Sequence, residues 1–225
     1  MATALLVALC AGFYSCGGGN DETPLNNDDN SNISNENGNS VIVGTTAMVQ
    51  LKKVGALSTL ISDNVKFNIT DLRIMGDING DDVALIREMA GADIKGNETN
   101  GKLANLNLSN ANLVNGGIYY TGITQEVSLS NELWQYMFYK CGSLTSIVLP
   151  DNIVHIGAFA LSYSGITSFT IPNNIQTIGN EAFANCTKLE SIVIGNSIVS
   201  AAENMLDGCI NLKKIRMLSD NSTYT

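Results

Sequence analysis

The sequence predicts an α/β solenoid of about six coils with a helix-containing N-terminal cap. The first observation is a repeat. Residues 133–217 read as LWQYMFYKCGSLTSIVLPDNIVH, IGAFALSYSGITSFTIPNNIQT, IGNEAFANCTKLESIVIGNSIVS and AAENMLDGCINLKKIRM, offset by 23, 22 and 23 residues. A fixed period of this size marks a stack of coils, each able to bury its apolar face only against its neighbours. The second is the column pattern. Leu144, Ile166, Leu189 and Leu212 share one position; Ile147, Phe169, Ile192 and Ile215 the next; Leu149, Ile171, Ile194 and Met217 a third. Ile153, Ile175 and Ile198 form a fourth, Leu133, Ile156, Ile178 and Ala201 a fifth, and Phe138, Leu161, Phe183 and Leu206 a sixth. All are apolar, against 44% of the whole chain. The third is an upstream echo: Ile69, Leu72 and Ile74, then Leu103, Leu106 and Leu108, follow the same rhythm.

Within one repeat, Ile147 and Leu149 alternate with Ser146 and Val148, which is the period of a strand. Pro150 and Pro172 end that strand, because proline cannot donate to a ladder. A second apolar pair follows an Asn/Asp turn, as at Ile153 and Ile156. A short helical or irregular turn then carries Phe138 or Phe183. Six coil strands are expected, at about 72–74, 106–108, 147–149, 169–171, 192–194 and 215–217.

Five segments are expected. They are a signal peptide at 1–15, a lipidated N-terminus and disordered tether at 16–40, a cap with the first coil at 41–100, the repeats at 101–219 and a tail at 220–225. The apolar run 2–14 is too short to span a bilayer, which takes about 20 residues, and fits a signal-peptide core. Cys16, after Ser15 and before three glycines, looks like a bacterial lipoprotein processing site, so Cys16 is the expected lipidation residue and lipid the expected link to a membrane. Two features depart from that pattern: no Lys or Arg precedes Lys52, and Phe13 stands where leucine is usual. The alternatives are an ordinary secretory signal or an apolar N-terminus with no export role. Residues 20–40 hold five acids, no base and little to bury, the composition of a disordered tether. In the cap, residues 55–61 read as a short helix. Residues 82–90 read as a second, with Val83, Ile86 and Met89 on one face and Gly91 as its stop.

Composition removes several functions. A net charge of −9 and a pI near 4.4 oppose nucleic-acid binding, which needs a basic footprint. One histidine, His155, sits between Val154 and Ile156 in a repeat, so catalysis by Ser/His or Cys/His pairs finds no support. No enzyme activity, cofactor or metal is expected. Asp77, Asn79 and Asp81 with Glu88 resemble the start of an EF-hand loop, but Asp82 occupies the position that needs glycine. The favoured reading is a helix cap by Asn79, Asp81 or Asp82. Cys141, Cys186 and Cys209 occupy one repeat column, with Ser164 in the gap. They are read as small buried hydrophobes; a Cys186–Cys209 disulfide is the alternative, since neighbouring coils lie about 4.8 Å apart.

What remains is surface. Ser146, Val148, Ser168, Thr170, Ser191, Val193, Lys214 and Arg216 alternate with the core positions and form a flat strip, expected to run roughly 24 Å across six strands. This strip is the candidate ligand-binding face; the plainer reading is that Ser, Thr and Val suit an exposed strand. Tyr119 and Tyr120 either mark a contact loop or fold back onto the array. The apolar positions Ile215 and Met217, so near residue 225, are expected to be covered by further repeats or by a partner.

The block L-x-x-I-x-(L/I)-P-x-x-I-x-x-I-G-x-x-A-F-x-x-C closely resembles the BspA-like leucine-rich repeat of bacterial surface proteins. Ile178-Gly179-Asn180-Glu181-Ala182-Phe183-Ala184-Asn185-Cys186 is a near-consensus copy. Ser164 replaces a cysteine, and Ala201, Ala202 and Leu206 depart from the motif in the last copy. Residues 56–117 resemble the N-terminal region that accompanies such repeats. The resemblance implies a leucine-rich-repeat fold and a surface lipoprotein of Gram-negative anaerobes, exported and anchored in the outer membrane. It also implies non-enzymatic binding of a protein ligand, on host matrix or another cell surface. A carbohydrate-binding component of nutrient uptake and an architectural spacer are the alternatives; exposed aromatics on the strip would favour the former, and the strip has none.

Overall fold

A computed structural model describes residues 30–120 and 131–218. The signal peptide, Cys16, residues 16–29 of the expected tether, and residues 219–225 lie outside that range.

The described chain begins with three antiparallel strands: β1 (Asn30–Asn35), β2 (Gly38–Val43) and β3 (Thr46–Leu51). Gly44 takes φ +58° at the first residue of the two-residue β2–β3 turn, a position where glycine costs nothing. β1 and the first half of β2 correct the expected tether. Composition marks residues 30–40 as unable to form a core. They need no core of their own, because their backbone pairs along a strand edge and only Gly38 and Ser40 of β2 are buried before residue 41.

From β3 onward the pairing turns parallel. β3 pairs with β4 (Asp71–Ile78), β4 with β5 (Asn105–Leu113), and β5 with β7 (Ser146–Val148), closing a six-stranded sheet. Ala47, Leu72, Leu106 and Ile147 face one another in register. A second parallel ladder joins β9 (Ser168–Thr170), β11 (Ser191–Ile194) and β13 (Lys214–Met217), aligning Phe169, Ile192 and Ile215. A third joins the two-residue strands β6 (Glu132–Leu133), β8 (His155–Ile156), β10 (Thr177–Ile178) and β12 (Ser200–Ala201). All six expected coil strands are present. The added partner is β3, which has no rhythm of its own in the sequence.

The expected α/β class is corrected to a strand-rich fold with one α-helix among the described residues, α1 (Gly80–Met89). The repeats carry turns instead of helices, for a reason visible in their hydrogen bonds. The N–H groups of Tyr136, Phe138 and Lys140 donate sideways to the carbonyls of Ala158, Ala160 and Ser162, at 3.0, 2.8 and 2.9 Å. Phe159, Leu161 and Tyr163 do the same to Asn180, Ala182 and Ala184. Alternate N–H groups spent on the next repeat cannot close i→i−4 bonds. The backbone also turns left-handed at Lys140, Tyr163, Asn185 and Gly208, one residue before the cysteine column. The expected helix over 55–61 is likewise only a single turn of 3₁₀ helix, Leu57–Thr59.

α1 starts where the acids of its first turn are satisfied. The Asn79 side chain accepts from the N–H groups of Asp81 and Asp82, and Asp82 returns a bond to the Asn79 N–H at 3.0 Å, a capping box. Asp82 also accepts from Gly55 at 2.8 Å and Leu57 at 2.9 Å. Val83, Ile86 and Met89 are fully buried, and Gly91 ends the helix at φ +103°.

The columns fill the core unevenly. Ile192 is 0% exposed and Ile194 9%, while Ile215 and Met217 of the last repeat are 56% and 45% exposed. Deleting buried methyl groups costs about 2–5 kcal/mol. Ile192→Ala is therefore expected to lower the denaturant midpoint by an amount in that range, and Ile215→Ala to move it little; equal shifts would contradict the burial difference.

Asp82 generates a pH prediction. Burial pushes its carboxyl above the ordinary value of 3.8, against the three backbone N–H donors that hold it down. A raised folded-state value means the folded protein keeps this proton longer than the unfolded chain. Stability from this group is thus greatest below pH 3.8 and falls as pH rises through the folded-state value. Denaturation curves across that window are expected to show this fall in the native sequence and to lose it in Asp82→Asn.

Candidate binding face

The strand ladders turn alternate side chains outward, and the eight strip residues take those positions. Ser146, Val148, Ser168, Thr170, Lys214 and Arg216 are exposed; Ser191 and Val193, held between ladder neighbours on both sides, are half-buried. Register brings them into two rows. Ser168, Ser191 and Lys214 are direct partners, as are Thr170, Val193 and Arg216. The strip is divided, however, because Ser146 and Val148 belong to the first sheet and the rest to the second ladder. A bond from the Thr167 N–H to the Thr145 carbonyl at 3.2 Å bridges the division.

The rows also extend further than the strip residues. Asn105 and Asp71 continue the first row beyond Ser146, and Asn107 and Arg73 the second beyond Val148. Asn105 donates to Asp71 at 2.8 Å. These four residues flank Leu72 and Leu106, so the upstream rhythm contains the signal that finds them. The face thus begins with one acid and one cation, Asp71 and Arg73, and ends with the cations of Lys213, Lys214 and Arg216, of which Lys213 is paired with Glu190 at 3.6 Å.

The face is held by a buried cation that the sequence reading missed. Arg87 is 0% exposed, and among the described residues no carboxylate pairs with it. Its Nη1 donates to the carbonyls of Tyr136 and Met137 at 2.9 and 3.0 Å, and its Nη2 to those of Asp93 and Tyr139 at 3.0 and 3.1 Å. The Tyr119 hydroxyl donates to the Gln135 carbonyl at 2.8 Å. In the next repeat, the carbonyls equivalent to those of Gln135, Met137 and Tyr139 accept from the preceding turn. In this first repeat, side chains from α1 and from residue 119 supply those donors. The available signal was position: Arg87 stands four residues after Val83, on the buried face of α1.

Tyr119 and Tyr120 therefore fold back. Tyr119 is buried against Trp134, with ring centroids 5.2 Å apart. Tyr120 stacks on Tyr136 at 5.1 Å beneath the Arg87 guanidinium, and Tyr136 stacks in turn on Phe159 at 4.7 Å. This aromatic cluster lies on the turns, away from the strip.

The remaining chemistry-bearing residues are occupied by structure. Asp81 accepts from the Ile118 N–H at 3.1 Å, and Asp82 and Asn79 cap α1 as described, while Asp77 accepts from the Asn112 side chain at 3.0 Å and Glu88 from Lys66 at 2.8 Å. His155 Nδ1 meets Thr177 Oγ1 at 2.6 Å on the outer side of the β8–β10 pair. Cys141 and Cys186 are buried and Cys209 half-buried, all as free thiols. Burial raises the Cys141 thiol to about 11. Among the described residues no group of three or more His, Cys, Asp or Glu side chains converges on a metal position, and no helix is long and apolar enough to cross a membrane.

Residues 119–225 match the family model described as BspA type Leucine rich repeat region, in six copies. This part of the chain is similar to BspA-type leucine-rich repeats. The match covers slightly less than half of the chain, and β4 and β5 precede it. No curated protein matches the chain. A leucine-rich repeat protein from Eubacterium ventriosum is similar at 13% identity and a TM-score of 0.48, covering 85% of this chain and 44% of that one. The chain thus spans less than half the length of that protein. A leucine-rich repeat protein from Bacteroides ovatus is similar at 14% identity and a TM-score of 0.37, covering 87% and 77%. A leucine rich cell surface protein from Faecalibacterium prausnitzii is similar at 13% identity and a TM-score of 0.29, also covering 87% and 77%.

Arg87 generates the prediction for this site. A hydrogen bond from a charged donor contributes about 1.5–3 kcal/mol, and a buried carbonyl left without a partner costs about 1–3. Arg87→Met is expected to cost about 3 kcal/mol or more in denaturant unfolding. Tyr119→Phe, which removes one bond, is expected to cost about 1. A smaller loss from Arg87→Met than from Tyr119→Phe would contradict the assignment.

Proposed function

We propose that the leucine-rich-repeat region, stacked as a solenoid with residues 41–100 as its N-terminal cap, is a non-enzymatic protein-binding module displayed outside the cell. The observation that carries this reading is the pair of outward rows running from Asp71 and Arg73 to Lys214 and Arg216. Stacked repeats offer such extended faces to ligands. Short Ser, Thr and Val side chains leave the surface flat, and the excess of positive charge at the Lys214 and Arg216 end would orient a partner. Export and acylation at Cys16 would anchor the module in the outer membrane, with the acidic segment after it as spacer. Its ligand is then a protein of host matrix or of another cell surface, and its role adhesion.

Carbohydrate capture has less support. Stacking on a sugar needs an open ring face, and Tyr136 has Tyr120 on one side and Phe159 on the other. The strip itself carries no aromatic residue.

The test is binding of the full chain to arrays of matrix and bacterial surface proteins beside a glycan array, repeated with Thr170→Arg and Val193→Arg together. Protein binding that falls about tenfold or more in the double variant, with circular dichroism unchanged, is the expected result. Binding to glycans alone, binding to neither array, or protein binding untouched by the double variant overturns the reading.

A further inference from the structure

The cysteine column brings two thiols together at the edge of the last described repeat. Cys186 and Cys209 are 23 residues apart in sequence and one repeat apart in space. Their turns are bonded directly: the Phe183 N–H donates to the Met205 carbonyl at 2.9 Å and the Asn185 N–H to that of Asp207 at 2.6 Å. Neighbours in this column touch, as Ser164 Oγ does Cys186 Sγ at 3.4 Å. Cys186 Sγ donates to the Leu161 carbonyl at 3.1 Å, and Cys209 Sγ to the Phe183 carbonyl at 3.1 Å, the equivalent bond one repeat on. Adjacent chains in such a ladder lie about 4.8 Å apart, inside the Cα separation of about 4.4–6.8 Å that a disulfide needs.

The environment differs between the two. Cys186 is buried between Ser164 and Cys209, whereas Cys209 is half-buried on the last repeat. Leu206 and Leu212 there are only partly buried, unlike their column mates Phe183 and Leu189. Cys141 has Ser164 as its column neighbour in the next repeat, so the column contains a single adjacent cysteine pair.

We propose that Cys186 and Cys209 are a redox-closable staple that fastens the last described repeat to the one before it. The electron acceptor is a small-molecule disulfide. The Cys209 thiolate attacks one sulfur of that disulfide, forming a mixed disulfide and releasing the first small thiolate. Cys186 gives up its proton to solvent and attacks Cys209 Sγ; the new S–S bond forms as the second small thiolate leaves. Two protein thiols and one small disulfide thus become one protein disulfide and two small thiols, which take up the two protons. The half-buried position of Cys209 makes it the entry point. The neighbouring Cys186 thiol also lowers the Cys209 thiol to about 7, while Cys209 and burial raise Cys186. A lowered thiol is a larger fraction thiolate near neutral pH.

The test treats the full folded chain with oxidised glutathione, digests it with trypsin without reductant, and maps linked segments by mass spectrometry. The expected result is a link between segments 141–188 and 189–213, kept in Cys141→Ser and lost in Cys186→Ser and in Cys209→Ser. Serine suits the column, since Ser164 already occupies it fully packed. In the untreated chain, iodoacetamide is expected to modify Cys209 about tenfold or more faster than Cys186. A Cys209–glutathione adduct that never resolves, a link lost in Cys141→Ser, or equal alkylation of Cys186 and Cys209 overturns the proposal.

Discussion

A parallel stack needs something to occupy the backbone acceptors of its first member, and here a guanidinium and a phenol do so. Burying an unpaired cation is expensive. Arg87 offsets that cost with four carbonyls and the face of Tyr120. The carbonyls of Gln135, Met137 and Tyr139 would otherwise lack these donors, because among the described residues no preceding turn stands at their level. From there each turn serves the next through alternate N–H groups, so the same bonding pattern repeats without new chemistry.

Arg87 can do this only because α1 is fixed at both ends. At its start, Asp82 ties the helix to the backbone of residues 55 and 57 and closes the capping box with Asn79. Near its end, Lys66 bonds Glu88 at 2.8 Å and Thr99 donates to the Glu88 carbonyl at 2.6 Å. The helix also packs Val83, Ile86 and Met89 into the core that β4 and β5 share. The run of acids that looks like candidate chemistry in the sequence, and Arg87, which does not stand out there, are thus spent on orienting one helix against one turn. Evidence of function has to be sought on the strand face, which no such network occupies.

The repeats were legible because each column is an independent vote for the same register. Leu144, Ile166 and Leu189 agree, and one strand with alternating burial follows from them. The turns were less legible. Apolar spacing around Phe138 and Phe183 does not separate a short helix from a left-handed turn, and Lys140, Tyr163 and Asn185 adopt positive φ with no glycine to announce it. The hairpin of β1 and β2 was hidden for a different reason: its polar strands contribute backbone bonds rather than core, and composition reports only core. The candidate face was half legible. The rows within residues 146–216 followed from alternation, whereas Asp71, Arg73, Asn105 and Asn107 required knowing that β4 and β5 join the same sheet.

The two ends of the described stack are not equivalent. At the first turn, the carbonyls are taken by Arg87 and Tyr119, and on the strand side β5 already occupies the edge of β7. A further turn cannot dock there without displacing a charged donor from a buried site. At the last turn, the N–H groups equivalent to those of Phe183 and Asn185 belong to Leu206 and Gly208, and the core positions Ile215 and Met217 are half open. Any strand or turn that extends this array must therefore join at β13, in parallel register and with acceptors facing Leu206 and Gly208. Such an addition would lengthen both outward rows from their cationic end and leave the Arg87 junction untouched.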